Sequence, residues 1–199
     1  MPTIQQQKKK IVICLAGLTA CGKSTAAKRL AKKYGLKYVS GGTALKELAL
    51  KMGYQAHSRG WWETPEGMRF LEERLHDPKS DKQIDSQLIE LAELGNVVLD
   101  SWTMPWLTKR GFKIWLEVSP PERAKRLAKR DGINLKDATS IIEKKDGKTM
   151  QIYESLYGFK LGKDYQPFDL VLDSETLSSD EVFDTLSLVI DRLVLKRGR

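Results

Sequence analysis

Along this chain, short apolar runs alternate with stretches in which apolar residues recur every three or four positions. The run Ile11-Val12-Ile13-Cys14-Leu15-Ala16 is followed by a helical pattern over Thr25-Ala26-Ala27-Lys28-Arg29-Leu30-Ala31. Short apolar runs bounded by turn residues read as buried strands, and the wider spacing reads as amphipathic helix. Further strands are therefore predicted at Leu36–Ser40, Asn96–Asp100, Phe112–Val118 and Phe168–Asp173. Helices are predicted over Thr43–Met52, Glu66–Leu75 and Lys82–Leu94, the last carrying Ile84, Leu88, Leu91 and Ala92 on one face. Pro120-Pro121-Glu122 opens a basic helix, Arg123–Arg130, that Gly132 ends. Ser178-Ser179-Asp180-Glu181 has the form of a capping box ahead of a last helix through Leu195. Residues 53–65 read as irregular, and the polar stretch Leu135–Tyr157 as helical in pieces. Strands alternating with helices mean an α/β fold with a parallel sheet covered on both faces.

With 199 residues, 41% of them hydrophobic, the chain is expected to form one domain over 1–199 around a single core. Only Cys14 and Cys21 are present, which is no disulfide framework and suits a reducing compartment. Lys8-Lys9-Lys10 precede an apolar run too short to span a membrane and without a small-residue cleavage site, so a cytoplasmic location is expected. The formal net charge of +8 raises the question of nucleic acid. The positive residues are scattered, as at Lys28, Lys32, Lys33, Lys46 and Lys51, so an anionic small molecule explains them as well and nucleic acid is not expected.

Between the first strand and first helix lies Gly17-Leu18-Thr19-Ala20-Cys21-Gly22-Lys23-Ser24, a G-x-x-x-x-G-K-[ST] phosphate loop, followed by Thr25. Its glycines let backbone N–H groups turn inward around phosphate oxygens, and the helix N-terminus behind them adds unpaired donors. Lys23 has the reach for β- and γ-phosphates, and the Ser24 hydroxyl is placed to ligate Mg²⁺. Cys21 reads as a small filler. The pattern predicts nucleoside triphosphate binding together with Mg²⁺.

Three features point from binding towards transfer. Asp100 ends a buried strand and so faces the ligand crevice, where it could hold Mg²⁺ through water, orient an acceptor, or merely cap a turn. Arg126 and Arg130 are four apart on the basic helix, a spacing that suits a triphosphate clamp or a solvated face. The polar stretch after Gly132 lies where a lid could exclude water.

The chain resembles the nucleoside monophosphate kinases, and among them the short archaeal-type cytidylate kinases. The likeness rests on the loop Gly17–Thr25, Leu36–Gly42 with Glu47-Leu48-Ala49, Ile84-Asp85 through Leu91-Ala92, and Asn96–Leu99. It continues through Lys113–Leu116 with Glu122-Arg123-Ala124, Leu156-Tyr157-Gly158, and Tyr165 with Phe168–Val171. The resemblance implies a P-loop three-layer sandwich with a five-stranded parallel sheet in the order 2-3-1-4-5. It also implies an acceptor-binding lobe, here about 41–80, and a lid, about 131–160. Arg126 would then lie on the adenine side and Arg130 near the phosphates, with Ser174, Glu175 and Thr176 bordering adenine. Ser40 and Lys46 would face the acceptor.

The chain departs from that family where an acceptor phosphate would be held. Lys46 stands at a usual arginine, Asp100-Ser101-Trp102 replaces Glu-Gly-Arg, and Lys145 and Ile152 occupy lid positions where arginines are expected. Lysine cannot reproduce the bidentate fork of arginine. Arg59 could restore the contact, and Trp61, Trp62, Trp102 or Trp106 could stack on a base, although packing is the favoured reading for Trp62 and Trp106. His57 reads as a surface residue.

The expectation is a Mg-ATP-dependent kinase with Lys23, Arg126, Arg130 and Asp100 in catalytic roles. The acceptor would be a small, anionic molecule, CMP or dCMP first, contacted by Ser40, Lys46, Arg59, Ser101 and Trp102. Two alternatives stay open: a nucleoside, sugar or other metabolite as acceptor, or an ATP-binding protein that holds RNA or a protein partner without transfer. Monomer and homodimer are equally compatible.

Overall fold

The computed structural model describes residues 10–57 and 60–195. The strands are β1 (Val12–Ala16), β2 (Lys37–Ser40), β3 (Val97–Asp100), β4 (Phe112–Glu117) and β5 (Leu170–Asp173). They form one parallel sheet in the order β2-β3-β1-β4-β5, the order implied by the resemblance. The helices are α1 (Lys23–Tyr34), α2 (Gly41–Lys51), α3 (Pro65–His76), α4 (Lys79–Leu94), α5 (Met104–Leu107), α6 (Pro120–Asp131), α7 (Leu135–Tyr157) and α8 (Ser179–Ile190).

Alternation along β1 explains the three layers. Ile13 and Leu15 point to one face, where Ala27 and Leu30 of α1 and Leu186 and Ile190 of α8 cover them. Val12 and Cys14 point to the other, under Leu45 of α2, Ile84 and Leu88 of α4, and Met104 of α5. All five residues of β1 are buried, as expected of a central parallel strand. No described helix is long and apolar enough to cross a membrane.

Two sequence expectations need correction. Residues 135–157 form one helix, not several pieces. Asn134 caps its start by accepting from the Asp137 N–H at 2.9 Å, and Gly158 ends it in a left-handed turn. Ala138, Ile142, Asp146, Thr149, Ile152 and Tyr153 form its buried stripe, and the two polar members disguise the period. The segment before α3, expected to be irregular, contains a 3-10 turn at Trp61–Glu63, and Trp61 is in the core against Tyr54 and Phe70. The short helix α5 is not apparent from the sequence pattern.

Candidate active site

The carboxyl ends of β1, β2 and β3 open into a cavity of about 550 Å³ that runs from Leu18–Thr25 to α2, α3 and α4. At its floor the phosphate loop makes a turn only glycine permits at its first position. Gly17 has φ of 149°, and a Cβ there would lie 2.7 Å from the Leu116 carbonyl oxygen and 2.6 Å from Cys21 Sγ. Gly22, at φ 94°, makes the second reversal and hands the chain to α1. Ala20 holds a left-handed φ of 65° without being glycine, a conformation kept only where its surroundings impose it.

Those surroundings include a buried ion pair. Arg123 Nη1 lies 2.5 Å from Asp146 Oδ2 and also donates to the Thr19 carbonyl at 3.1 Å, while the Thr19 N–H donates to Asp146 Oδ1 at 3.3 Å. α6 and α7 thus grip the loop backbone from behind. Lys23 Nζ donates to Asp100 Oδ1 at 2.8 Å, and the Tyr38 hydroxyl donates to Oδ2 at 2.8 Å. Burial alone would push the Lys23 ammonium down and the Asp100 carboxyl up. Their mutual attraction overrides both, leaving Lys23 raised and Asp100 lowered, so the pair is ionised. The Ser24 side chain also favours the charged form of Asp100.

Arg126 donates from Nη2 to the carbonyls of Ser174 and Glu175 at 2.8 and 3.0 Å. The Glu175 carboxylate in turn accepts from Ser119 N and Oγ at the start of α6, at 2.8 and 2.6 Å. Arg130 is bidentate on Asp131, 2.7 Å at each contact, and its Nη2 lies 3.2 Å from Glu63, which also meets Lys145 Nζ at 2.5 Å.

The other end of the cavity is walled by side chains. Arg74 on α3 clasps Asp81 on α4 through Nε at 3.0 Å and Nη2 at 2.5 Å, and Nη2 reaches the Tyr153 hydroxyl at 3.4 Å. Asp85, one turn further along α4, accepts from Thr103 Oγ1 at 2.6 Å and the Tyr157 hydroxyl at 2.8 Å. Burial pushes its carboxyl up to about 6 despite those bonds.

A sequence model described as the cytidylate kinase-like family matches residues 12–176. The chain belongs to the cytidylate kinase-like family. It is 33% identical over 187 residues to the cytidylate kinase of Pyrococcus horikoshii, covering 94% of this chain and 91% of that protein. Against the cytidylate kinase of Methanopyrus kandleri it is 32% identical over 195 residues, with 92% and 95% covered. Among solved structures, a shikimate kinase from Acinetobacter baumannii matches with a TM-score of 0.55 at 15% identity, over 94% of this chain and 96% of that one. That last likeness is one of fold alone. By family the chain is a kinase, a phosphotransferase.

Within this family member, Leu18 to Thr25, Ser40, Lys46, Asp100, Ser101, Trp102, Arg126 and Arg130 all line the cavity. Several of them are already engaged. Ser40 Oγ accepts from the Thr43 N–H as the cap of α2, and Ser101 Oγ bonds Thr103 Oγ1 at 3.0 Å. Ser174 and Thr176 do not line it: Ser174 is fully buried with its hydroxyl donated to the Glu117 carbonyl, and Thr176 is exposed. Arg59 lies outside the described residues, and His57 is exposed.

The tryptophans divide. Trp106 packs, stacked on Phe159 at 4.2 Å with its N–H given to Asp164. Trp61 is likewise core, which removes it as a stacking partner for a ligand, whereas Trp62 and Trp102 line the cavity. Because Trp62 faces the cavity as well as Trp61 and Phe70, packing does not account for it completely. Sequence reasoning missed Glu63, Arg74 and Asp81, and cited Asp85 only within a family resemblance. A signal was present: Asp81, Ile84, Asp85 and Leu88 share one helical stripe, and acids inside an apolar stripe are buried only when partnered.

Proposed function

We propose that the protein transfers the γ-phosphoryl group of ATP to a nucleoside monophosphate, CMP or dCMP first. The observation that carries this reading is the single cavity shared by the phosphate loop and the side-chain wall of Trp62, Arg74 and Asp85, so that donor and acceptor would meet without crossing solvent. The names of the archaeal relatives supply the cytidine choice. Residues 41–80 would serve as the acceptor-binding lobe and 131–160 as the lid.

In this reading the loop N–H groups and Lys23 hold the triphosphate, and Arg130 and Lys145 face the charge that develops during transfer. Arg126 supports the adenine-side loop through the Ser174 and Glu175 carbonyls. Ser24 and Asp100 offer an oxygen-only donor pair beside the loop, which suits Mg²⁺ bound through few protein ligands and substrate phosphates. When bound, the ion would neutralise charge on the β- and γ-phosphates. Nothing in transfer to a phosphate oxygen requires a protein base, so positioning and charge neutralisation suffice.

A second reading, a nucleoside, sugar or other metabolite as acceptor, is favoured by Lys46 and Lys145 standing where arginine would clasp a phosphate dianion. ADP release in the presence of ATP, measured across nucleoside monophosphates, nucleosides and sugars, separates the two. CMP or dCMP is expected to be turned over fastest. Preference for a neutral acceptor would favour the second reading, and acceptor-independent behaviour with salt-sensitive RNA binding would overturn both.

A further inference from the structure

Among the described residues, Glu63 is the one cavity-lining carboxylate with ion pairs to two cations from two other elements. Its Oε1 lies 2.5 Å from Lys145 Nζ on α7 and its Oε2 3.2 Å from Arg130 Nη2 at the end of α6. The Glu63 side chain is 8% exposed and that of Lys145 14%, so the contact is largely withdrawn from water. Burial pulls the Lys145 ammonium down, and the Glu63 carboxylate opposes that pull. Arg130 is also held by Asp131, so two carboxylates balance two cations. Asp131 is not part of the cavity lining, whereas Glu63 is.

A carboxylate presents two oxygens to guanidinium and ammonium much as a phosphate does. Phosphate groups entering the cavity would meet Arg130 and Lys145 already neutralised, and one carboxylate would have to withdraw. Glu63 is the candidate because it alone of the two stands in the ligand's path. It is carried by a 3-10 turn, Trp61–Glu63, that follows Gly60 in a left-handed conformation.

We propose that Glu63 is an internal anion that holds Arg130 and Lys145 until substrate phosphates replace it, so that it ties the turn before α3 to α6 and α7 in the empty enzyme and sets the cavity's affinity for polyanions. This rests on the phosphate-binding reading of the cavity. Displacing the carboxylate costs two partly buried ion contacts, and that cost is subtracted from ligand affinity. A ligand with several negative charges recovers it; one with a single weak anion does not.

The test is calorimetric titration with inorganic tripolyphosphate, which involves neither base recognition nor transfer, on wild type, Glu63→Gln, Asp131→Asn and Lys23→Ala. Glu63→Gln is expected to bind about tenfold more tightly, equivalent to about 1.4 kcal/mol. It should also melt lower than wild type when empty and at the same temperature when saturated, because the lost contacts exist only in the empty protein. Asp131→Asn should gain about threefold or less. Unchanged or weaker binding by Glu63→Gln, or an equal gain from Asp131→Asn, overturns the proposal and leaves the phosphate site standing. Binding that ignores Lys23→Ala, or no binding by wild type, overturns the phosphate-binding reading and the proposal with it. If Glu63→Gln does not fold, Glu63→Asp, too short to meet both cations, is expected to bind about threefold more tightly, and no gain overturns the proposal.

Discussion

The two ends of the cavity are built on the same device and use it differently. At the phosphate loop the buried pair Arg123–Asp146 grips backbone, bonding both the N–H and the carbonyl of Thr19. At the opposite end the buried pair Arg74–Asp81 grips side chains, with the Tyr153 hydroxyl as third member. Both reach α7, through Asp146 and Tyr153 seven residues apart on its buried stripe. A site made of backbone donors keeps its chemistry while most side chains vary. One made of side chains can change its ligand with a few substitutions.

The largest effect expected is that of Lys23→Ala, which should lower kcat for phosphoryl transfer by about 10³-fold or more. It also leaves the Asp100 carboxylate, 2% exposed, with no cation beside it, so the variant should melt below wild type. A rate near that of wild type would remove the loop from the donor role.

Next come the two braces. Asp146→Ala and Asp81→Ala each strand a buried guanidinium and should each destabilise the fold by about 3–5 kcal/mol in urea titrations. Their kinetic signatures should part: Asp146→Ala raises KM for ATP, Asp81→Ala raises KM for the acceptor. If both move the same constant, the two ends are not separate subsites.

The Asp85 carboxyl, pushed up to about 6 by burial, binds its proton more tightly folded than unfolded. Its contribution to stability is therefore full below the ordinary carboxylate range and is lost as pH rises from about 4 to about 6. Compared with Asp85→Asn across pH 4 to 7, wild type should lose ground by up to about 3 kcal/mol as pH increases. A constant difference would mean that folding leaves the proton affinity of Asp85 unchanged.

The smallest effect sharpens the comparison most. Trp62→Ala should raise the acceptor KM by about tenfold, in line with about 1.4 kcal/mol of lost aromatic contact, and leave the ATP KM unmoved. A change in the ATP constant instead would place Trp62 with the donor.

Where the chemistry is local in sequence, it was legible. The strand, glycine turn and helix that make the phosphate loop are contiguous, and their steric demands single out Gly17, Gly22, Lys23 and Ser24. Asp100 could be placed because a strand's carboxyl end faces the crevice. The strand order came only through resemblance, since no periodicity says which parallel strands pair. The period of α7 is hidden in the sequence because Asp146 and Thr149 occupy its apolar stripe, and they do so to meet Arg123, the loop and the cavity. Arg74 with Asp81, and Glu63 with Lys145, bridge elements 7 and 82 residues apart, a relation no spacing rule contains.

By itself the sequence determined the layers and the phosphate-binding turn, because both follow from local sterics and from which face of each element must leave water. Only the tertiary structure decided which charges meet. Burying an ion is costly unless a partner arrives from elsewhere in the fold, so the partners of Lys23, Arg74, Arg123 and Lys145 are set by packing between elements, and with them the character of both ends of the cavity.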